Sequence, residues 1–306
     1  MAQRRSFLIG ALALPLLTRT APVLACEAEP RATVALQLVA RHVLVTLLVD
    51  DQPATFMLDT GAERSLVTEA AVHRLGLALD QWVGTTVMGL GGYQRHQNAA
   101  PRSLSLGGVA LRHELSRDSS MAVSPLPIAG FGDQLDGLLG RDFLSEFDLL
   151  LDIPARTLTL YKVRRCGADF MPLPRPAVAV PALPDYGKAL VIPAGLDGHR
   201  LRVLLDSGAG TTLVTAPGMS RLGLTADALA RDRSAMVRGI GRLPVPAHLH
   251  RFGSLDVGGQ VSRNLVLLVA PVRVVPIVDL VLGIDWLQTR RVWLSYSTLR
   301  IFVAGA

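Results

Sequence analysis

The feature that most constrains the fold of this chain is an internal repeat around two aspartates. Residues 59–62 read Asp-Thr-Gly-Ala and residues 206–209 read Asp-Ser-Gly-Ala, and an apolar run leads into each turn. Asp59 and Asp206 are 206 − 59 = 147 residues apart. Because both segments carry the same motif in the same context, the sequence predicts two copies of one folding unit.

The similarity extends well beyond the two turns. Three further segments of the first copy recur in the second: 65–68 as 212–215, 74–77 as 221–224, and 138–144 as 281–287. The first two keep the offset of 147, and the third changes to 281 − 138 = 143, which small differences in loop length explain. We therefore expect this organisation of the mature chain: a first lobe at 33–165, a linker at 166–187 and a second lobe at 188–303.

The first 25 residues have the features of a signal peptide. Arg4 and Arg5 precede an apolar stretch, and small or aliphatic residues end the segment. The paired arginines resemble a twin-arginine signal, so we expect an exported, periplasmic protein. The apolar stretch is interrupted by Pro15 and is shorter than the roughly 20 residues that cross a bilayer, which argues against a transmembrane span.

Composition and charge narrow the class of protein. The chain has 306 residues, of which 50% are hydrophobic and 18% are charged, as is usual for a globular protein. Removal of residues 1–25 deletes three arginines and no acid, so the formal charge falls from +6 to 6 − 3 = +3. So small a charge argues against a nucleic-acid partner.

The only two cysteines, Cys26 and Cys166, exclude a disulfide framework and a cysteine zinc site. They leave three alternatives open. The two thiols form one bridge in an oxidising compartment, they stay free, or Cys26 carries a lipid anchor, because the residues Val-Leu-Ala before it resemble a loose lipobox.

Short β-rich segments separated by Gly, Pro or Asp turns dominate the mature chain. They predict an all-β protein with closed, barrel-like sheets. A strand, a turn near 50–53 and a second strand lead directly into Asp59. Short helices are expected over 69–75, ending at Gly76, and between Pro217 and Gly223. Five prolines within 166–187 predict an extended connector without helix or central strand.

Two aspartates in matched turns point to acid/base chemistry. Carboxyl groups within hydrogen-bond distance cannot both ionise easily, so the pair shares one proton and supplies one base and one acid. Such a pair activates a water without a metal or another cofactor. Thr60 and Ser207 can fix the turns through their hydroxyls, and Gly61 and Gly208 let two turns meet without Cβ bulk. A lone Asp-Thr-Gly is a weak signal, whereas two matched copies are a strong one.

With these two matched motifs, the sequence resembles the retropepsin-like aspartic proteases, in a single-chain, two-lobe form that is also similar to the pepsin arrangement. The resemblance covers nearly all of residues 33–303. It implies a protease that cleaves a protein or peptide substrate in a cleft between two β-barrel lobes, and it implies that a monomer is sufficient for activity. The implied catalytic residues are Asp59 and Asp206, and the turn residues that support them are Thr60, Gly61, Ala62, Ser207, Gly208 and Ala209. In this family an apolar-apolar-Gly segment, here called the threading segment, passes behind each turn, and its glycines here are Gly140 and Gly283.

The resemblance also implies features that the two lobes do not share. In lobe one, an ion pair between Glu63 and Arg141 would brace the turn that carries Asp59; this turn and that of Asp206 are called the active turns below. Lobe two has Gly210 and Ile284 at the matching positions, so its turn must be held otherwise. A glycine-rich flap would close over the substrate, for which the candidates are Gly89, Gly91, Gly92 and Tyr93.

Alternatives remain for these glycine-rich segments. A plain hairpin explains the flap residues as well, and no helix follows them as a dinucleotide site requires. In lobe two, residues 237–241 stand where a second flap would lie, but a stiffer lid or a simple hairpin explains them equally.

Ala62 and Ala209 replace the serine or threonine that many pepsin-like enzymes have after the turn glycine. A hydroxyl there can stabilise the ionised carboxylate, so its loss predicts an activity optimum between about pH 4 and 7. The alternative function is a peptide-binding module that keeps the fold and hydrolyses nothing.

The remaining candidate residues have simpler interpretations. His248 and His250 share a strand face but have no third metal ligand in the sequence, so we expect surface histidines. Phe143 and Trp286 are expected in the core. The basic runs at 164–165 and 231–233 are expected to be solvated loops.

Overall fold

The computed structural model describes residues 25–89, 92–113, 118–124, 134–167, 169–237 and 244–305, with the backbone alone at 87–89 and 92–94. Within them the strands are β1 (Glu27–Ala35), β2 (Gln37–Val39), β3 (His42–Val49), β4 (Gln52–Leu58), β5 (Leu66–Thr68), β6 (Leu79–Gly89), β7 (Gly92–Ala99), β8 (Leu104–Leu106), β9 (Val109–Ala110), β10 (Met121–Ser124), β11 (Gly137–Leu139), β12 (Asp148–Asp152), β13 (Thr157–Arg164), β14 (Ala177–Pro181), β15 (Val191–Leu196), β16 (His199–Leu205), β17 (Leu213–Val214), β18 (Arg233–Val237), β19 (Val245–Val257), β20 (Gln260–Val269), β21 (Leu280–Leu282), β22 (Arg290–Ser295) and β23 (Arg300–Gly305). The helices are α1 (Glu69–Leu75), α2 (Arg141–Leu144), α3 (Ala216–Leu222), α4 (Ala226–Leu229) and α5 (Ile284–Leu287), and a short 3-10 turn spans Pro184–Tyr186.

Each lobe has a sheet of its own, and the two sheets have the same strand order. The path in lobe one is β3-β4-β11-β5-β10-β7-β6, and the path in lobe two is β15-β16-β21-β17-β20-β19-β18. The registers agree as well: Leu44 lies opposite Met57, and Val191 lies opposite Leu204, each 147 residues later. The prediction of an all-β chain with two homologous lobes is therefore confirmed.

Lobe two closes into a barrel. Pairing of β15 with β19 joins the ends of the path β15-β16-β21-β17-β20-β19, so six strands form a ring. In lobe one the long hairpin of β19 and β20 corresponds to four shorter strands, β7, β8, β9 and β10, and β3 pairs with β8 as β15 pairs with β19. Lobe one thus follows the same plan with a more interrupted chain, and its described strands do not complete a ring.

Strand β3 shows why these residues form such barrels. Val43, Val45 and Leu47 are at most 1% exposed and point into the core, whereas Thr46 and Leu48 between and beyond them face outward. This alternation matches the two-residue period of a strand, and β-branched residues pack well on a pleated surface. Burial of each aliphatic side chain contributes about 1.5–3 kcal/mol.

The predicted helices after the two active turns are present. Thr68 caps α1 by accepting a hydrogen bond from the backbone N–H of Ala71, and Gly76 ends it in the left-handed conformation at φ 64°. Thr215 caps α3 in the same way, and Gly223 ends it at φ 67°. The echoes in the sequence therefore encode the same caps and stops in both lobes.

A third sheet is shared by the two lobes, and the sequence did not indicate it. Its order is β1-β13-β12-β22-β23-β14, so β12 of lobe one pairs directly with β22 of lobe two. The proline-rich segment 166–187 contributes the edge strand β14, whose proline lies at its last position, where a missing N–H does little harm. This segment is therefore more than the extended connector we expected. At the other edge β1 begins at Glu27, before the expected start of lobe one.

Cys26 and Cys166 form a disulfide that joins the chain before β1 to the chain after β13, 140 residues later. Of the three alternatives, the structure contains the bridge. A sulfur in a disulfide cannot also carry the thioether of a lipid anchor. No helix in the described part of the chain is long and apolar enough to cross a membrane.

Candidate active site

The two repeated aspartates meet at the interface between the lobes. Asp59 follows β4 and Asp206 follows β16, and their backbone N–H groups donate to Leu139 O and Leu282 O at 3.0 Å each. The turns approach so closely that a Cβ on Gly61 would overlap the carboxyl carbon of Asp206, and a Cβ on Gly208 would overlap that of Asp59. Only glycine permits this approach.

Each carboxyl is oriented by its own turn. Asp59 Oδ1 accepts from the N–H groups of Gly61 and Ala62 at 3.0 and 2.8 Å. Asp206 Oδ1 accepts from Gly208 and Ala209 at 2.8 and 3.1 Å.

The environment of the pair keeps a proton on it. Burial, followed by the negative charge of Asp206, raises the pKa of Asp59 well above its usual value. Burial also raises the pKa of Asp206, against the opposing hydrogen bonds from Asp59 and from its own turn. Both residues keep partial solvent exposure, so the carboxyls are enclosed by protein but still reachable from the cleft. Two carboxyls in such an environment can share one proton.

The hydroxyls of Thr60 and Ser207 cross between the lobes. Thr60 Oγ1 donates to Leu205 O at 2.9 Å and accepts from Ser207 N at 3.1 Å. Ser207 Oγ donates to Leu58 O at 2.7 Å and accepts from Thr60 N at 3.1 Å. Both side chains are almost completely buried, at 4% and 0% exposure. Each hydroxyl therefore holds the active turn of the opposite lobe.

The threading glycine of lobe one is tied to its turn through a serine and a half-buried carboxylate. Gly140 N donates to Ser65 Oγ at 2.8 Å, and Ser65 Oγ donates to Asp142 at 2.6 Å. Asp142 also accepts from the backbone N–H of Ser65 at 2.8 Å. The carboxylate thus braces the strand behind the active turn from two sides.

Lobe two repeats this brace. Gly283 N donates to Thr212 Oγ1 at 3.1 Å, and Thr212 Oγ1 donates to Asp285 at 2.6 Å. We did not assign Asp142 and Asp285 a role from the sequence. The sequence did indicate that they share a role, because they are 285 − 142 = 143 residues apart, which is the offset between the two threading segments.

The Glu63–Arg141 pair is present but loose. Arg141 Nη2 lies 3.9 Å from Glu63 Oε2, and the Glu63 side chain is 66% exposed. An exposed pair of this kind contributes about 0–1 kcal/mol. The serine-to-aspartate brace is the tighter support in lobe one, and its counterpart holds lobe two, where Gly210 and Ile284 cannot form an ion pair.

The candidate flap lies on a hairpin. Strands β6 and β7 pair up to Gly89 opposite Gly92, with Met88 opposite Tyr93. Gly91 and the side chain of Tyr93 lie outside the described residues, so the flap role stays a prediction. In lobe two, β18 and β19 occupy the matching place in the strand order, and residues 238–241 also lie outside the described part.

A second pair of repeated acids supports the barrels behind the site. Asp279, with no side-chain exposure, accepts from Arg202 Nη2 at 2.7 Å and Nε at 2.9 Å, and it lies 2.9 Å from Arg221 Nε. Its counterpart in lobe one, Asp136, lies 2.6 Å from Arg74 Nη2. These contacts explain the repeated arginine at 74 and 221. Burial alone would raise the pKa of Asp279, but the hydrogen bonds and charge of Arg202, with Arg221, outweigh it and lower that pKa.

Replacing Asp279 should destabilise the fold more than replacing Asp136. We expect Asp279→Asn to lower the free energy of unfolding by about 3–5 kcal/mol, because two arginines lose their buried partner. Asp136→Asn, which frees one half-exposed arginine, is the matched comparison. Since the folded-state pKa of Asp279 is depressed, its contribution is present above the unfolded value of about 3.9 and is lost as the pH falls. Urea unfolding at pH 7 and pH 3 measures this, and equal losses for both variants would contradict it.

The structure also shows the surroundings of the aromatic and histidine residues that the sequence singled out. Phe143 and Trp286 are core residues, at 0% and 5% exposure, as predicted. His250 is not a solvated surface histidine, because its Nδ1 lies 2.6 Å from Asp232 Oδ2 and its ring contacts Phe252. His248 is half-buried. Among the described residues, no group of three or more His, Cys, Asp or Glu side chains could hold a metal ion.

These features define a two-lobed β protein with one carboxyl pair at the lobe interface. The model of the aspartyl protease family matches residues 45–143 and 192–286, which is more than half of the chain, and the chain belongs to this family. The structure is similar to the crystal structure of an aspartic proteinase from Irpex lacteus, with a TM-score of 0.51 and 12% sequence identity over 92% of this chain and 98% of that chain. So low an identity shows the fold alone. A comparison with curated proteins finds no match.

Proposed function

We propose that this protein is an aspartic endopeptidase in which Asp59 and Asp206 activate the attacking water. The observation that carries the proposal is the pair of buried, hydrogen-bonded carboxyls, each held by two backbone N–H groups and clasped by hydroxyls from the opposite lobe. A site that is only structural gains nothing from two acids held so close together, because their proximity raises the pKa of Asp59 at a cost in stability.

The proposed chemistry follows from the shared proton. The ionised carboxylate removes a proton from a water held between the two groups while the protonated carboxyl donates to the peptide carbonyl oxygen. The new C–O bond gives a tetrahedral diol, and the enzyme has exchanged the roles of its two acids. The proton taken from water then passes to the leaving nitrogen, and one hydroxyl of the diol returns its proton to the carboxylate that had protonated the carbonyl oxygen. The C–N bond breaks to give an amine and a carboxylic acid, and the initial protonation state returns.

The substrate class follows from the position of the site. An extended peptide can lie between the lobes and pair its backbone with strand edges, and the hairpin of β6 and β7 offers such an edge beside the cleft. Because one chain supplies both aspartates, we propose that a monomer is sufficient. Neither part of the proposal needs a nucleic acid or a cofactor.

Digestion of a mixed peptide library from about pH 3 to 8 tests this function, with products read by mass spectrometry. Internal cleavage by the mature protein, beginning near Cys26, is the expected result. A folded protein that retains peptides on a column but cuts none of them would show a peptide-binding module instead.

The alanines after the turn glycines predict how the pH profile responds to mutation. We expect wild-type activity to peak between about pH 4 and 7, because burial raises the pKa of both carboxyls. In Ala62→Ser, a hydroxyl beside Asp59 should stabilise its ionised form and move the profile to more acidic pH. Ala62→Gly, which removes the methyl group without adding a hydroxyl, is the control. An optimum below about pH 3 in the wild type would contradict this prediction.

We further propose that the protein is exported to the periplasm through a twin-arginine signal at residues 1–25. The Cys26–Cys166 bridge supports export, because disulfides persist in oxidising compartments. Replacing Arg4 and Arg5 with lysine should retain the precursor in the cytoplasm, and unchanged periplasmic recovery would contradict the proposal.

A further inference from the structure

One contact at the active site breaks the symmetry of the two lobes. His42, the first residue of β3 in lobe one, has its Nδ1 3.0 Å from the carbonyl oxygen of Gly208 in the active turn of lobe two. The neighbouring Arg41 donates to Thr211 Oγ1 at 3.2 Å. The turn that precedes His42, at residues 40–41, has positive φ values of 47° and 67°, which suit a tight two-residue hairpin. Lobe one thus reaches across to the turn of Asp206.

This contact is connected to Asp206 through one peptide group. A carbonyl oxygen only accepts, so Nδ1 of His42 must carry the proton of this hydrogen bond. The N–H of the same peptide group belongs to Ala209 and donates to Asp206 Oδ1 at 3.1 Å. Hydrogen bonds at the two ends of a peptide group polarise it and strengthen each other. His42 therefore makes the Ala209 N–H a better donor to the Asp206 carboxylate.

At the position of lobe two that corresponds to His42, the described chain has no side chain that could support Asp59 in this way. The strands β3 and β15 correspond at an offset of 147, so the counterpart of His42 is residue 42 + 147 = 189. That residue is Ala189, which is 4% exposed and packs in the core of lobe two. A methyl group cannot donate a hydrogen bond or carry a charge. The two halves of the site are otherwise alike in their turns, their hydroxyls and their threading segments.

We propose that His42 is a positioning residue that makes the two aspartates inequivalent, so that Asp206 is the ionised base and Asp59 carries the proton. The catalytic meaning of this assignment rests on the proposed function, but the assignment itself does not. The electrostatics agree in direction: burial raises the pKa of both aspartates, and the charge of His42 opposes the rise at Asp206. Burial lowers the pKa of His42 itself, partly offset by Gly208 and by Asp206. Among the described residues, Asp206 on the opposite turn acts on the ring through its charge, and the guanidinium of the preceding Arg41 is bound to Thr211.

The first test uses proteins with a single active-site carboxyl, so that coupling within the pair does not obscure the result. In Asp59→Asn only Asp206 titrates, and in Asp206→Asn only Asp59 does, and carbon-13 NMR of labelled aspartate follows each. Adding His42→Ala should raise the pKa of Asp206 in the first protein and leave that of Asp59 unchanged in the second. Adding His42→Asn should restore the low value, because its amide nitrogen can donate from the position of Nδ1.

Two results would overturn the proposal. If His42→Ala moves both carboxyls equally or moves neither, His42 does not distinguish them. If His42→Asn behaves like His42→Ala, the hydrogen bond to Gly208 is not the cause. This measurement needs no substrate, so it stands or falls separately from the peptidase function.

The second test uses activity. In otherwise wild-type protein, His42→Ala should move the acidic limb of the kcat/KM profile to higher pH and leave the alkaline limb in place. At pH values below that limb the loss should be about three- to tenfold, the contribution of one hydrogen bond. A loss of the same size at every pH would show a merely structural role and contradict the assignment of the base.

Discussion

Peptide cleavage is expected to fall by roughly 10,000-fold when either Asp59 or Asp206 is replaced by asparagine. An amide keeps the size of the side chain and an oxygen that can accept from the turn N–H groups, but it cannot exchange a proton with water. Because the two carboxyls act as one unit, the double variant should be no less active than either single variant. Initial rates on a peptide found in the library digest measure the effect.

The matched control is Asp51→Asn, which makes the same chemical change on an exposed hairpin turn. Asp51 has a positive φ of 63°, a conformation that asparagine adopts readily. This variant should cleave at the wild-type rate. Residual activity above about one hundredth of the wild type in Asp59→Asn or Asp206→Asn would remove that residue from the proposed chemistry.

The same two variants should be more stable than the wild type near neutral pH. The folded-state pKa values of both aspartates are raised, chiefly by burial, so their contribution to stability is fully present below the unfolded value of about 3.9 and is lost as the pH rises through the folded values. Asparagine does not ionise and avoids this loss. A higher Tm at pH 7 with little change at pH 3 is expected from thermal unfolding.

A large loss of stability is also expected when either crossing hydroxyl, that of Thr60 or that of Ser207, is removed. Thr60→Val keeps the shape of the side chain but leaves the buried Ser207 N–H and Leu205 carbonyl without their partner. Ser207→Ala does the same to Thr60 N–H and the Leu58 carbonyl. Each variant should lower the free energy of unfolding by about 2–4 kcal/mol, because buried polar groups lose their hydrogen bonds.

Thr60→Ser, which retains the hydroxyl, is the control and should cost less than about 1.5 kcal/mol. The double variant should lose less than the sum of the two single variants, because both hydroxyls belong to one network. Strictly additive losses in urea unfolding would mean that the two lobes are held together elsewhere.

The locally encoded parts of the structure could be predicted from the sequence. Thr68 and Gly76 specify the start and the end of α1 through bonds within a few residues, and the structure has both. The repeat placed Asp59 and Asp206 in matched turns, because the same short motif folds alike in two copies. Even the need for glycine at 61 and 208 followed from the expectation that the two turns meet.

The parts of the structure that depend on residues far apart in the chain could not be predicted from the sequence. In the shared sheet Leu150 lies opposite Trp293, and nothing near either residue indicates this pairing. Strand β14 lies in a segment whose prolines predicted an extended connector without a central strand, but the edge of a sheet tolerates them. His42 contacts a carbonyl 166 residues away, and it has no counterpart in lobe two that could have revealed it. A sequence repeat indicates the features that both lobes have, but it gives no indication of a contact that only one lobe makes.

The most direct test of the account is a count of the protons on the wild-type pair. Carbon-13 NMR of labelled aspartate, compared with the Asp59→Asn/Asp206→Asn double variant, isolates the two carboxyls from the others. We expect the pair to hold one proton between about pH 4 and 7, since its two ionisations are pushed apart. Loss of both protons together near pH 4, as in two independent carboxyls, would contradict it.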